Sequence, residues 1–246
     1  MRAFWGIAAF LAATPAWAVD CRDLSFKGEV YTVCEVDAQA EDLRLFLNDP
    51  ETGKPLGNFT SIENLVEEEG QVLAFSMNAG MYHTDRRPVG HYAEKGEVLA
   101  PVITNAGPGN FGLLPNGVFC IREGRADVFE TLRYVDEAPD CTYASQSGPM
   151  LVIDGALHPR FLPDSDSTYI RNGVGTTAGG ETAFFAISKS PVTFHQFGTM
   201  FRDGLKLPQA LYFDGSISRL YAPDLNRFDI GFPMGPMVGV VAPPPE

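Results

Sequence analysis

Apolar and polar positions along the chain fall mostly into short runs with a two-residue alternation, broken at intervals by turn chemistry. Residues 30–36, 43–47, 72–77, 98–104, 117–121, 150–153, 183–187 and 210–213 are rich in β-branched and aromatic side chains and predict strands. Lys95-Gly96, Asn116-Gly117, Glu123-Gly124 and Asp154-Gly155 lie between such runs and predict hairpin turns. Two stretches change to a helical period. Thr60-Ser61-Ile62-Glu63 has the form of a capping box, with Thr60 as the cap, and Ile62, Leu65 and Val66 supply one apolar face. Phe194, Phe197, Phe201 and Leu205 recur at steps of three and four, predicting a helix from about Thr193 to Leu205. Its apolar stripe packs on a sheet, and His195 and Arg202 lie off that stripe. The expected fold is α+β: a mainly antiparallel β-sheet with a few packed helices in a single domain.

The N-terminus reads differently. Met1-Arg2 is basic, residues 3–13 are almost wholly apolar, Pro15 breaks the run, and Ala16-Trp17-Ala18 is a small-x-small site. This is the pattern of a secretory signal peptide over residues 1–18, leaving a domain over residues 19–246. The apolar run falls short of the ~20 residues of a membrane span. Loss of Arg2 leaves 17 basic against 31 acidic residues, a net charge of −14. That charge argues against nucleic acid and anionic membrane surfaces as partners. It leaves room for a small anionic ligand held by a few arginines. The four cysteines, Cys21, Cys34, Cys120 and Cys141, contain no Cys-x-x-Cys, and an exported chain favours disulfides over zinc. The pairing Cys21–Cys34 and Cys120–Cys141 is expected, because each pair flanks a short strand or hairpin. No oligomeric state follows from the sequence.

Five segments concentrate small and polar residues where strands end. Residues 75–82 run from an apolar strand into Asn78, Gly80 and Tyr82, and continue through His83 to Gly90. Residues 105–112 hold three glycines in six positions without a phosphate-loop spacing. Ser147 and Gly148 precede the strand from Met150, without the Gly-x-Ser-x-Gly elbow of a serine hydrolase. Arg171 heads Asn172-Gly173-Val174-Gly175-Thr176, a turn whose guanidinium suits phosphate oxygens. Asp214 follows Leu211-Tyr212-Phe213 and precedes Gly215, Ser216 and Ser218, so a strand delivers a carboxylate to its end. His83, Asp85 and His91 lack the helical i, i+4 spacing of a metal pair, so neither metal nor cofactor is expected.

In order, Met77-Asn78-Ala79-Gly80-Met81-Tyr82, Pro88-Val89-Gly90, Leu114-Pro115-Asn116-Gly117-Val118-Phe119, Gln146-Ser147-Gly148-Pro149-Met150-Leu151-Val152, Arg171-Asn172-Gly173-Val174-Gly175 and Phe213-Asp214-Gly215-Ser216-Ile217-Ser218 resemble the phosphodiester glycosidase family. The resemblance covers about residues 72–240 and is nearest to the family's exported bacterial branch, related to the lysosomal uncovering enzyme. Where the family has Asp-Gly-Gly-Gly-Ser, this chain has Asp214-Gly215-Ser216-Ile217-Ser218. The resemblance implies cleavage of a sugar-1-phosphodiester to free sugar and a phosphomonoester. It makes Asp214 the carboxylate at the anomeric carbon, Arg171 the phosphate clamp and Asn78 a ligand to sugar or phosphate. Gly80, Tyr82, Asn116, Ser147, Gly148, Thr176, Ser216 and Ser218 are the expected binding residues. The rival is a non-catalytic exported binding protein for a sugar or anionic glycan, which needs Arg171 and Asn78 but not Asp214. A structural envelope protein would show no polar cleft.

Overall fold

The computed structural model describes residues 19–244, so the signal-peptide expectation and the last two residues lie outside it. In chain order the strands are β1 (Asp20–Phe26), β2 (Glu29–Asp37), β3 (Asp42–Phe46), β4 (Val72–Asn78), β5 (Tyr92–Glu94), β6 (Glu97–Ala100), β7 (Gly117–Arg122), β8 (Arg125–Glu130) and β9 (Tyr143–Ser147). They continue with β10 (Met150–Ile153), β11 (Ala156–Leu157), β12 (Asn172–Thr176), β13 (Thr182–Ser188), β14 (Gln209–Asp214), β15 (Leu220–Ala222), β16 (Arg227–Phe228) and β17 (Met237–Ala242). The helices are α1 (Phe59–Glu68), α2 (Thr131–Glu137) and α3 (Phe194–Thr199), the last prolonged by a π turn over Met200–Gly204.

The strands form three antiparallel sheets, ordered β1-β2-β13-β12-β14-β10-β11, β16-β15-β4-β17-β3 and β6-β5-β9-β7-β8. Their inner faces share one core, in which Phe185 meets Phe75 at 5.0 Å and Phe119 at 5.7 Å between ring centroids. Each sheet carries one helix on its other face. Helix α3 lays Phe197 and the following Phe201 on Val33, Leu151 and Tyr212 of the first sheet. Helix α1 lays Ile62 and Val66 against Phe46, Leu73 and Met237 of the second. Helix α2 sets Tyr134 against Val118 and Phe129 of the third. The architecture is the expected α+β class. Both disulfides have the expected pairing: Cys21–Cys34 crosses β1 and β2 at directly opposed positions, and Cys120–Cys141 ties β7 to the approach to β9.

Several local expectations are corrected. The cap of α1 is Asn58, whose Oδ1 accepts the Ser61 amide at 2.9 Å; Thr60 lies inside the first turn, and Glu63 instead accepts from the Tyr221 hydroxyl. Asn116-Gly117 is not a hairpin turn. Asn116 is buried, its amide donating to Phe111 O and accepting from Thr131 Oγ1, and Gly117 opens β7. The strand expected over 98–104 ends at Ala100. Residues 172–176 are a strand rather than a turn, with their glycines packed under Leu211 and Phe201. Residues 143–147, over which no element was expected, are a fully buried strand.

A candidate active site where three sheets meet

Strands β12 and β14 pair antiparallel with Asn172 opposite Asp214, and a register shift follows immediately. Strand β4 of the second sheet ends at Asn78, beside this point. The two asparagine amides join the sheets. Asn172 Nδ2 donates to Asn78 Oδ1 at 2.8 Å and to Asn78 O at 3.1 Å. Asn78 Nδ2 donates to Ile217 O at 2.8 Å, and its Oδ1 also accepts the Arg219 amide at 3.0 Å. Asn172 Oδ1 accepts the Asp214 amide at 3.2 Å. The third sheet joins through Ser147, whose hydroxyl donates to Phe213 O at 2.7 Å. Ser218 donates to Ile170 O and Asp214 O, both at 3.0 Å, closing the loop after β14.

Asp214 sits at this junction, only 9 % exposed. Burial pushes its carboxyl above the usual carboxylate range, while the amides of Ser216, Gly215 and Ile217 work the other way by donating to the anion. The loop's own amides, and not Arg171, stabilise the anion. The Ser216 amide is 2.9 Å from Asp214 Oδ1.

Arg171 precedes β12 and is 1 % exposed. Its Nε donates to Val192 O at 2.8 Å and Nη2 to Ser167 O at 3.0 Å. Its guanidinium carbon lies 3.6 Å from the Phe194 ring centroid, with Tyr169 and Tyr212 at 5.4 and 5.5 Å. No carboxylate pairs with it among the described residues, and burial pulls its pKa below the arginine norm. The guanidinium and the buried Tyr212 hydroxyl are within each other's reach, but neither Nη1 nor that hydroxyl completes a hydrogen bond of good geometry. The Tyr212 phenol is raised by burial first; Arg171 pulls it down and Asp214 pushes it up, so its hydroxyl feels both charges. Gly215 makes room for it, since an added Cβ there would lie 1.8 Å from Tyr212 Oη. Eight arginines hold carboxylates at the surface. Among the described residues, Arg86, Arg160, Arg171 and Arg219 do not, and three of those four border this junction.

The expected binding residues divide into groups. Tyr82 is half-buried with Arg86 stacked over its ring at 5.4 Å; burial raises its phenol, Asp214 adds to that, and Arg86 and Arg219 oppose it. Ser216 and Ser218 belong to the loop that holds Asp214. Ser147 is committed to a strand carbonyl, the Asn78 amide is fully hydrogen-bonded, and the Asn116 amide is engaged by Phe111 O and Thr131 Oγ1. Gly80 and Gly148 are packing positions, where an added Cβ would lie 2.7 Å from Ser145 Oγ and 2.6 Å from Asn116 Cβ. Thr176 is not brought to the junction: it lies at the other end of β12, and its Oγ1 accepts the Val128 amide. His91 has both ring nitrogens engaged, by Ala100 O and the Tyr134 hydroxyl. Among the described residues no group of three acidic, histidine or cysteine side chains is placed to hold a metal. Asn172, Tyr212 and Arg219 escaped the sequence reading. Asn172 had a signal, since it stands inside the Arg171 segment; Tyr212 read only as part of an apolar run.

The model of the phosphodiester glycosidase family matches residues 71–240. The uncharacterized protein YigE of Escherichia coli K12 is 33 % identical over 221 residues, covering 86 % of this chain and 84 % of that protein. Among solved structures, the catalytic domain of zebrafish N-acetylglucosamine-1-phosphodiester alpha-N-acetylglucosaminidase superposes with a TM-score of 0.58 at 12 % identity, over 90 % of this chain and 81 % of that one. A hypothetical protein from Synechocystis gives 0.59 at 11 %, covering 91 % of this chain but only 62 % of its own length. An exported protein of Burkholderia pseudomallei gives 0.52 at 10 %, covering 86 % and 74 %. At such identities these structures speak to the fold alone; the family match and YigE decide membership, and this chain belongs to the phosphodiester glycosidase family.

Proposed function

We propose that the protein is an exported hydrolase that cleaves the glycosidic bond of a sugar-1-phosphodiester, releasing free sugar and a phosphomonoester. One observation carries this reading: a buried guanidinium without a carboxylate lies against Tyr212, whose hydroxyl is in reach both of that cation and of the strand-end carboxylate Asp214. An uncompensated buried cation costs several kcal/mol. A phosphodiester anion offset against Arg171 would recover that cost, and Tyr212 would donate to a second phosphate oxygen. Asp214 then flanks the anomeric carbon. As base, it takes a proton from water; the water oxygen bonds to C1, the C1–O bond breaks, and its electron pair leaves on the phosphomonoester. That leaving group is stable without protonation, so the site needs no dedicated general acid. The loop amides of Gly215, Ser216 and Ile217 keep Asp214 available as an anion despite its burial. The zebrafish N-acetylglucosamine-1-phosphodiester alpha-N-acetylglucosaminidase is named for this same bond type. Two disulfides and an exported structural neighbour support a periplasmic or secreted location.

The test is an Asp214→Asn variant assayed on an N-acetylhexosamine-1-phosphodiester. It should bind the substrate while turnover falls by about a hundredfold or more. A wild-type protein that binds sugar phosphodiesters and never turns one over would establish the binding-protein reading instead.

A further inference from the structure

A groove of about 290 Å³ runs from Arg219 between the first turn of α1 and residues 229–234. Its acidic side chains are already engaged. Glu63 accepts from the Tyr221 hydroxyl, and Asp229 accepts from the Arg227 guanidinium and the Leu220 amide. Phe59, Tyr221, Phe228, Ile230 and Met234 supply its apolar wall, and Arg219 lines it together with a few neutral polar and small residues. Arg219 Nη1 donates to Phe232 O at 2.6 Å, while Nε and Nη2 have no partner and no carboxylate among the described residues. Ile230 is 93 % exposed, Phe232 80 % and Phe228 53 %. Large apolar side chains grouped on a surface mark a binding face. The loop that presents them is fastened, by Met234 N to Gly57 O at 2.7 Å and by Tyr82 Oη to Pro233 O at 3.4 Å.

The groove borders the Asp214 junction through Arg219. The Arg219 amide lies on Asn78 Oδ1, and the charges of Arg219 and Asp214 act on the same Tyr82 phenol from opposite signs. A phosphodiester has two arms. With its sugar at Asp214, the second arm must leave in another direction, and here a cation is followed by an apolar channel. The volume suits a small-ligand chain rather than a folded partner. We infer that this groove is the aglycone subsite and that the aglycone is an apolar long-chain alcohol esterified to the sugar phosphate; this rests on the glycosidase reading above.

Calorimetric binding of decyl phosphate and methyl phosphate to the mature protein tests the groove without turnover. Apolar contact should make decyl phosphate bind at least about tenfold more tightly. A Phe228→Ser/Ile230→Ser double variant, altering two side chains already half or more exposed, should reduce that ratio to below about threefold. Equal affinities in the wild type, no binding of decyl phosphate, or a double variant that keeps the full preference would each overturn the inference. A chain-length preference without turnover of any sugar phosphodiester would uphold the groove and sink the glycosidase reading. Turnover indifferent to the aglycone would do the reverse.

Discussion

Replacing Arg171 by methionine separates a ligand-binding role from a structural one, because the structure allows the stability cost to be worked out. The guanidinium stacks on Phe194 at 3.6 Å, a desolvated cation–π contact of about 2 kcal/mol. Of its two hydrogen-bond acceptors, Val192 O keeps the Tyr169 amide at 3.2 Å, and Ser167 lies in an exposed segment where water can replace the lost donor. Methionine retains an unbranched apolar stem against the ring. Against these losses stands relief of a desolvation cost of several kcal/mol for a buried cation without a carboxylate. The terms nearly cancel, so stability should stay within about 2 kcal/mol of wild type, or within roughly 4–8 °C of its Tm. The ligand response should differ sharply. Inorganic phosphate at about a hundred times its Kd stabilises a binding protein by ~2.7 kcal/mol, roughly 5–10 °C here. Differential scanning calorimetry with and without phosphate should show that shift in the wild type and none in Arg171→Met, with turnover at least about tenfold lower. A fall in Tm beyond about 8 °C, or a phosphate shift preserved in the variant, would refute the argument.

Four further outcomes are expected. Because burial raises the Asp214 carboxyl, the acid limb of kcat/KM should lie above the ordinary carboxylate pKa of about 3.9, and Asp214→Asn should abolish that limb. The same shift fixes the sign of its linkage. A raised carboxyl contributes stability below its unfolded pKa and loses it as pH rises through the folded value, so Asp214→Asn should gain on wild type in chemical denaturation at pH 7 and lose that gain as pH falls. Asn172→Leu removes the amide that joins two sheets and leaves Asn78 Oδ1 and the Asp214 amide short of partners, so urea unfolding should show a loss of about 3 kcal/mol or more. Reduction of Cys120–Cys141, 21 residues apart, should cost about 3 kcal/mol by loop closure; an unchanged melting curve after verified reduction would count against that value.

The sequence by itself determined what local chemistry encodes. Two-residue alternation marked β4, β7, β13 and β14, the phenylalanine stripe marked α3 and its continuation, and cysteine placement marked both disulfides. It also brought Asp214 to a strand end, because an apolar run followed by glycine has few other readings. Strands β1, β5, β8, β9, β11, β12, β15, β16 and β17 went unmarked, and β9 and β12 show why: when both faces of a strand are buried, polar or glycine residues can occupy it without alternation, and no strand is read there. What Arg171, Asn78, Ser147 and Thr176 do was decided only by tertiary structure. Whether an amide is spent on the neighbouring sheet or a hydroxyl on another strand's backbone depends, for Asn78, Ser147 and Thr176, on partners 48 to 141 residues away. Periodicity carries no information at that separation, so the sequence supplied the side chains and the packing of three sheets decided which of them remained free for chemistry.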